Sequence, residues 1–457
     1  MTGRAFGVRG IVEGFYGTPW SHEARLEVLA FVAARGMNAY AYAPKDDAKH
    51  RSQWREPYTA GEMARFAELA SACAQLGMRF GFGISPGLDI TYESEADRRT
   101  LLDKLEPLAA GGVTWFLVLV DDIPMQPDLA PRQADLTAAL CAALPDVAFT
   151  VCPTEYVGTR PSQYLADLAA GLPPCVDVMW TGPTVCSPRI TVDDAKDFTF
   201  ALGGRPPLVW DNFPVNDAMM TNSLHLGPYT GRDAGLADIV GGVLCNPMTQ
   251  PRASKIALAT AAAFLSDPDN YAEHTAWETA IADVGGSRAA PLRSLAHACG
   301  DSPLHSPADL ELARLVAEAA FDEIETVLRA AHELPDVFTA DGDALAVEVA
   351  PWAAAARTEA DAGLAALRLI KHVRTPEPDA ERALHQAFAL LYSWSVARTN
   401  RRVMFGPRFA LYTPVVQLAD GRPALDVGLA VREDENAVDA LCRLALATYQ
   451  DWTTSNA

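Results

Sequence analysis

The sequence has no apolar run approaching the ~18 residues that a membrane-spanning helix requires, and its opening, MTGRAFGVRG, has no apolar core of the kind that marks a secretory leader. A cytoplasmic location is the expectation that follows. Basic residues are scarce: 37 Lys and Arg stand against 58 Asp and Glu, a net charge of −21 at pH 7. That balance disfavours nucleic acid and anionic membranes as partners, because binding to either needs clustered cations that displace counterions. A strongly polyanionic substrate is disfavoured for the same reason. The eight cysteines are scattered without a CxxC pair, and the nine histidines form no cluster at metal-ligand spacing. No metal and no organic cofactor are therefore implied, and the thiols read as reduced and mostly buried.

What is present is the composition of an ordinary globular protein, with 49% hydrophobic and 21% charged residues. A length of 457 residues exceeds what one core supports, so at least two domains are expected. Residues 1–265 repeat one pattern, a short apolar run rich in Val, Ile, Phe and Tyr, then a polar turn, then a helical segment. Eight such runs are expected as strands: Val8–Phe15, Asn38–Ala43, Arg79–Ile84, Trp115–Val120, Ala148–Cys152, Val176–Trp180, Pro207–Trp210 and Val240–Cys245. Their lack of strict alternation suits parallel strands buried on both faces, and eight βα units over this length fit an α/β fold of the (β/α)8 barrel type. A doubly wound open sheet is the competing topology. It is disfavoured because no Gly-rich phosphate loop follows the first strand and because polar residues follow nearly every strand instead of gathering at one crossover.

Residues 266–457 change character to Ala-rich segments with helical spacing, expected as an all-α domain. Ser306-Pro307 with Asp309 marks a helix start, after which Leu312, Leu315, Val316 and Ala319 share one face. Ala360, Leu364, Leu367 and Ile370 do so later. The stretch Phe405–Val416 breaks this rhythm and is expected to be a loop.

In a (β/α)8 barrel the reactive groups sit at the carboxyl ends of the strands, and here those ends are rich in chemistry. The runs close in EGFYG, PKDD, VDD, CPTEY, WTG, WDN with Asn216-Asp217, and NP. Asp121 and Asp122 stand out, because two carboxylates directly after six apolar residues would be costly if buried unpaired. They must face a polar cavity, a cation or solvent. Strict alternation would send them to opposite sides, but a chain turning at a strand end lets both address one ligand. Taken singly, each residue also has an ordinary reading: the aspartates as a helix cap and salt bridge, Lys45 as a surface ion pair, Trp210 as core, Asn246 as a turn former before Pro247.

Nine motifs, in order at successive strand ends, carry a resemblance: GIVEGFYGTPW, YAPKDDAKHRSQWRE, ISPGLDITY, VDDIP, CPTEYVGT, WTGP, VWDNFPVND, LGPYTGR and LCNP. Through them residues 1–265 resemble glycoside hydrolase family 84, the O-GlcNAcase and bacterial β-N-acetylglucosaminidase family. The resemblance implies substrate-assisted hydrolysis with retention, in which the sugar's 2-acetamido oxygen attacks the anomeric carbon to give an oxazoline that water opens. It implies that Asp121 orients the acetamide N–H and that Asp122 protonates the leaving oxygen and then deprotonates water. Like-charge repulsion between the two acids is expected to keep one proton on the pair. The resemblance further assigns Gly14, Lys45, Asn212, Asp217 and Asn246 to hydrogen bonds with the sugar, and Cys152, Tyr156, Thr181 and Trp210 to the walls around the acetamide. Arg160 departs from the animal members, which carry an aromatic there, and the likeness fades past residue 265.

The expected substrate is a glycoprotein or small glycoside bearing β-linked N-acetylglucosamine, with a homodimer through the helical domain expected by family analogy. Two alternatives remain at this stage. One is endo-cleavage of hyaluronan, which the acidic balance disfavours; the other is a noncatalytic glycan-binding scaffold, which the complete set of pocket residues disfavours.

Overall fold

The computed structural model describes residues 4–300, 302–304, 311–399, 402–406, 415–417, 423–425 and 435–455. Packing divides them into two units. The first holds residues 4–218 and 228–276 with the two short strands of 415–417 and 423–425; the second holds 219–227, 277–300, 302–304, 311–399, 402–406 and 435–455.

The first unit is built on eight strands, β1 (Val8–Glu13), β2 (Ala39–Tyr42), β3 (Arg79–Ile84), β4 (Trp115–Leu119), β5 (Ala148–Cys152), β6 (Asp177–Trp180), β7 (Pro207–Asp211) and β8 (Gly242–Cys245). They pair in parallel in chain order, and β1 closes on β8 with Val8 opposite Gly242, so the sheet is a closed barrel and not the open alternative. Most strand residues are buried, as parallel strands covered on both faces require. Inside the barrel, Val12, Ala39, Ala41, Trp115, Leu117, Leu119, Met179, Leu208 and Leu244 form one packed cluster.

Between strands run α1 (His22–Ala33), α2 (Ala60–Gln75), α3 (Glu95–Ala110), α4 (Leu129–Ala143), α5 (Gln163–Gly171) and α6 (Val192–Ala201), with α7 (Pro251–Ser266) after β8. Their starts are fixed by side-chain caps that satisfy otherwise orphaned amides: Ser21 on α1, Thr59 with Glu62 in a reciprocal capping box on α2, Ser94 on α3, Ser162 on α5, and Thr191 with Asp194 on α6.

The chain continues through α8 (Glu273–Gly285), α9 (Ala289–Ala298), α10 (Glu311–Ala317), α11 (Phe321–Val337), α12 (Ala344–Val373), α13 (Ala380–Thr399) and α14 (Ala437–Ser455). The long α12 packs against α11, α13 and α14, and buries Ala360, Leu364, Leu367 and Ile370 as its spacing predicts. In α10 only Leu312 and Leu315 are buried; Ala319 lies beyond the helix end with φ +54° and is exposed, so the expected face is one turn shorter. The Ser306-Pro307 start, and all of 405–416 except Phe405, Gly406 and two strand residues, lie outside the described residues. Val415–Gln417 pairs antiparallel with Pro423–Leu425, an interruption of the helical pattern. Among the described residues, no helix is long and apolar enough to cross a membrane.

Candidate active site

Asp121 and Asp122 follow β4 after the single residue Val120, and the backbone there breaks the alternation of a strand. Asp122 adopts φ +55°, the left-handed region that Asp tolerates better than most residues. The two carboxylates consequently reach one cation: Lys45, after β2, pairs with Asp121 Oδ2 and lies 3.9 Å from Asp122 Oδ2. Asp121 is buried, and its Oδ1 has no hydrogen-bond partner. Asp122 is more open, with 31% of its side chain exposed, and both of its oxygens accept hydrogen bonds: Oδ1 from the Tyr156 hydroxyl at 2.8 Å, Oδ2 from the Tyr16 hydroxyl at 2.9 Å.

This geometry corrects one expectation. Burial does push the Asp122 carboxyl upward, but Lys45, the Tyr156 and Tyr16 hydroxyls and Arg51 together outweigh it and hold the group below the ordinary carboxylate value. Repulsion between neighbouring acids therefore does not keep a proton on Asp122 in the open site, because Lys45 stands between the two charges. Burial and the negative Asp122 push the Tyr16 phenol up to about 12, so it stays a donor. Asp217 is also pushed above its usual value, by burial first and by Asp122 with it.

A second set of polar groups closes the other side. The indole N–H of Trp210, at the end of β7, donates to Asn212 Oδ1 at 3.0 Å, and Asn246 Nδ2 donates to the same oxygen at 2.9 Å. Asn246 Oδ1 accepts the Gly14 N–H at 3.1 Å, while Asn212 Nδ2 donates to the Val185 carbonyl at 2.7 Å. Asp217 Oδ2 accepts the Tyr16 N–H at 2.8 Å. Cys152, Tyr156 and Trp210 pack in the apolar cluster with Val185 against it, and the Lys45 ammonium lies 5.6 Å from the centre of the Trp210 ring. The Thr181 amide donates to the Tyr156 carbonyl at 3.0 Å and its hydroxyl to the Thr184 carbonyl at 3.1 Å, fixing the β6 loop beside that wall.

All eleven residues singled out from the sequence thus belong to the loops and strand ends at one mouth of the barrel. Sequence reasoning passed over their supports. Glu13 looks like a third candidate acid, but it is fully buried and held by Arg25 in a two-point pair at 2.8 Å, by the Tyr40 hydroxyl at 2.6 Å and by the Trp20 amide. Asp211 is clamped likewise by Arg232 at 2.5 and 2.8 Å and by Tyr229 at 2.6 Å. Tyr16 and Arg51 lay within quoted motifs, yet no periodicity shows which residues of a polar loop turn inward. Among the described residues, no cluster of three His, Cys, Asp or Glu could hold a metal ion.

A closed (β/α)8 barrel whose fourth strand ends in paired acids beside an aromatic-walled polar pocket has the architecture of a glycoside hydrolase. The family model described as beta-N-acetylglucosaminidase matches residues 9–297, and the chain belongs to that family, glycoside hydrolase family 84. It is 37% identical to the protein O-GlcNAcase of Rattus norvegicus over 281 residues and to that of Mus musculus over 282, in each case 57% of this chain. The chain spans about a third of the length of these curated relatives, 30% and 31% respectively. A solved structure of an O-GlcNAc hydrolase from Thermobaculum terrenum matches it with a TM-score of 0.84 at 30% identity, covering 99% of this chain and 96% of that one.

Proposed function

We propose that the protein is a retaining exo-β-N-acetylglucosaminidase that releases N-acetylglucosamine from Ser or Thr of glycoproteins, or from small glycosides, by substrate-assisted catalysis. Family membership supports the sugar, and the likeness to O-GlcNAcases supports the linkage. The observation that carries the mechanism is the unequal provision for the two adjacent acids. Asp121 keeps one buried oxygen without a partner, an acceptor suited to the acetamide N–H, while Asp122 is the more open of the two, as exchanging a proton with a leaving oxygen and then with water requires.

In this reading the acetamide oxygen attacks C1 as the bond from C1 to the leaving oxygen breaks. The Asp122 proton passes to that oxygen. Asp121, paired with Lys45, stabilises the positive charge that develops on the acetamide as the oxazoline closes. Asp122, now a carboxylate, takes a proton from water as water adds to C1 on the face the leaving group vacated; the oxazoline bond from C1 to the acetamide oxygen breaks, the acetamide is restored, and the configuration is retained. The open site favours ionised Asp122, so the acid form must arise as the bound sugar and aglycone exclude water and lose it a hydrogen bond; both changes raise a carboxyl pKa. Trp210 and Tyr156 wall the acetyl pocket, and Gly14, Asn212, Asp217 and Asn246 hold the hydroxyls. No step calls for a metal or organic cofactor.

Asp122→Ala tests the assignment. Turnover of an aryl glycoside with a poor leaving group should fall far more than that of a dinitrophenyl glycoside, since acid help matters only for a basic departing oxygen. Asp121→Ala should slow both and weaken binding of an oxazoline mimic. Equal losses on both substrates in Asp122→Ala would refute the acid role. Depolymerisation of hyaluronan in a size assay would favour the endo-acting alternative, and binding of the sugar without release from any aryl glycoside would favour the scaffold. We further propose a homodimer through the helical unit, supported by an uncovered apolar stripe on α13: Leu384, Phe388, Leu391, Tyr392 and Val396, each 40–74% exposed.

A further inference from the structure

The Tyr16 hydroxyl stands between two opposite charges. It donates to Asp122 Oδ2 at 2.9 Å and accepts from Arg51 Nη1 at 2.8 Å, and Arg51 Nη1 is itself 3.9 Å from Asp122 Oδ2. The Arg51 side chain is only 11% exposed, and its guanidinium lies 5.6 Å from the centre of the Tyr16 ring. Tyr156 covers the other carboxylate oxygen. Two O–H donors on two oxygens is the hydrogen-bonding pattern of a carboxylate; a carboxylic acid must donate from one of them. Protonating Asp122 weakens what both hydroxyls contribute to its charge, and it becomes easier if Tyr16 turns its own proton elsewhere. Arg51 opposes that turn, because its N–H occupies the phenol oxygen and polarises the phenol proton toward Asp122.

We infer that Arg51, acting through the Tyr16 hydroxyl, is a positioning residue that favours the base form of Asp122 over its acid form. The inference rests on the acid and base roles proposed above. The two cations act by different routes: Lys45 pairs with Asp121 and lies 3.9 Å from Asp122, whereas Arg51, also 3.9 Å from Asp122, reaches it by hydrogen bonds through Tyr16 as the intermediary. The other charged or titratable groups facing Asp122 are Lys45, Asp121, Asp217, Tyr156 and Cys152. Of these only Lys45 is cationic, so removing Arg51 leaves Asp122 with one of its two positive neighbours. The functional consequence is a trade: the arrangement speeds activation of water in the second half of the reaction and costs acid strength in the first.

The experiment measures kcat/KM against pH for a phenyl β-N-acetylglucosaminide, a poor leaving group. Its alkaline limb reports ionisation of the acid in the free enzyme. In Arg51→Met that limb should move up by about one pH unit, the lower end of what an opposite charge within ~4–6 Å exerts. Arg51→Lys should restore most of the wild-type position. Tyr16→Phe, which removes only a hydroxyl, should also move the limb upward and carries the test if Arg51→Met does not fold. A general structural disturbance would lower the plateau without shifting the limb. Unmoved limbs in both variants would overturn the inference, even where Asp122→Ala shows the leaving-group dependence of a general acid. Loss of that dependence in Asp122→Ala would instead bring down the reading it rests on, and this inference with it.

Discussion

Adding one methyl group at Gly14 should disable the site while leaving the fold in place. A Cβ built at Gly14 falls 2.2 Å from Trp210 Cζ2 and 2.7 Å from Cη2. Ordinary carbon contacts begin at about 3.5 Å, so the indole would have to retreat by about 1.3 Å. It cannot do so alone, because its N–H is tied to Asn212 Oδ1, which also accepts from Asn246, which in turn holds the Gly14 amide. Trp210, Asn212 and Asn246, the proposed acetyl wall and two proposed sugar ligands, would therefore shift together. A displacement of about 1 Å in positioning groups costs on the order of 100-fold in rate, so Gly14→Ala should lower kcat/KM on an aryl N-acetylglucosaminide by about that factor. Overpacking should cost about 1–3 kcal/mol of stability, visible as a lower urea midpoint without loss of the native circular dichroism. The control is Gly61→Ala on α2, where the added Cβ meets nothing within 4 Å; it should keep full activity and gain up to ~1 kcal/mol. Wild-type kcat/KM in Gly14→Ala would refute the claim that the Trp210 position is set by the absence of a side chain at Gly14.

Lys104, buried on α3, donates to the Lys49 carbonyl at 2.6 Å, and burial pushes its amine down to about 8. With the folded pKa depressed below the unfolded value near 10.5, the unfolded chain binds more protons between those limits, so stability rises from about pH 8 to about 10.5, is lost as pH falls back across that window, and is unchanged by this group below it. Lys104→Met should remove that rise, and the difference between variant and wild-type urea midpoints should narrow across the same window; a constant difference would contradict it. For the proposed dimer, sedimentation at low concentration should show a two-fold mass in the wild type and a monomer in Phe388→Glu combined with Tyr392→Glu, whose ring positions are 61% and 74% exposed. A wild-type monomer would rule the dimer out.

The barrel was legible because parallel strands buried on both faces leave uninterrupted apolar runs bounded by polar turns. The expected bounds of β3 and β5 match the structure to the residue. The first run was read two residues too long, because Gly14 and Phe15 continue the apolar pattern after the ladder ends at Glu13. That the motif residues would gather at one mouth was legible, since strand ends in this fold converge there. What the sequence hid is non-local. The role of Glu13 depends on an arginine twelve residues away that turns inward from α1, and nothing in the spacing separates that burial from catalysis. Residues 219–227, flanked on both sides by barrel segments, belong with the helical unit for the same kind of reason: Trp277 and Trp352 donate to the carbonyls of Leu226 and Asn222. The influences that lower the Asp122 carboxyl were not legible, because only the structure shows Lys45 within reach of both acids and Tyr16 with Arg51 behind them.

The left-handed backbone at Asp122 decides which measurement can test its role. Consecutive strand residues point to opposite faces, and two adjacent acids meet one cation only because that alternation fails at φ +55°. For a residue with a Cβ this conformation costs about 1–2 kcal/mol, and Asp and Asn offset part of it through local hydrogen bonding. Alanine lacks that offset. Asp122→Ala therefore removes the proposed proton donor and also loosens the turn that carries Asp121, which should lower absolute rates on every substrate. Asp122→Asn keeps the turn and removes the charge, but leaves an amide in the hydrogen bonds from Tyr16 and Tyr156. Neither variant isolates acid catalysis by its absolute rate. The ratio of losses on two leaving groups within one variant does, because the backbone contribution is common to both substrates and cancels. A large ratio in both Asp122→Ala and Asp122→Asn assigns the proton to this side chain; a ratio near one in both assigns the losses to the turn.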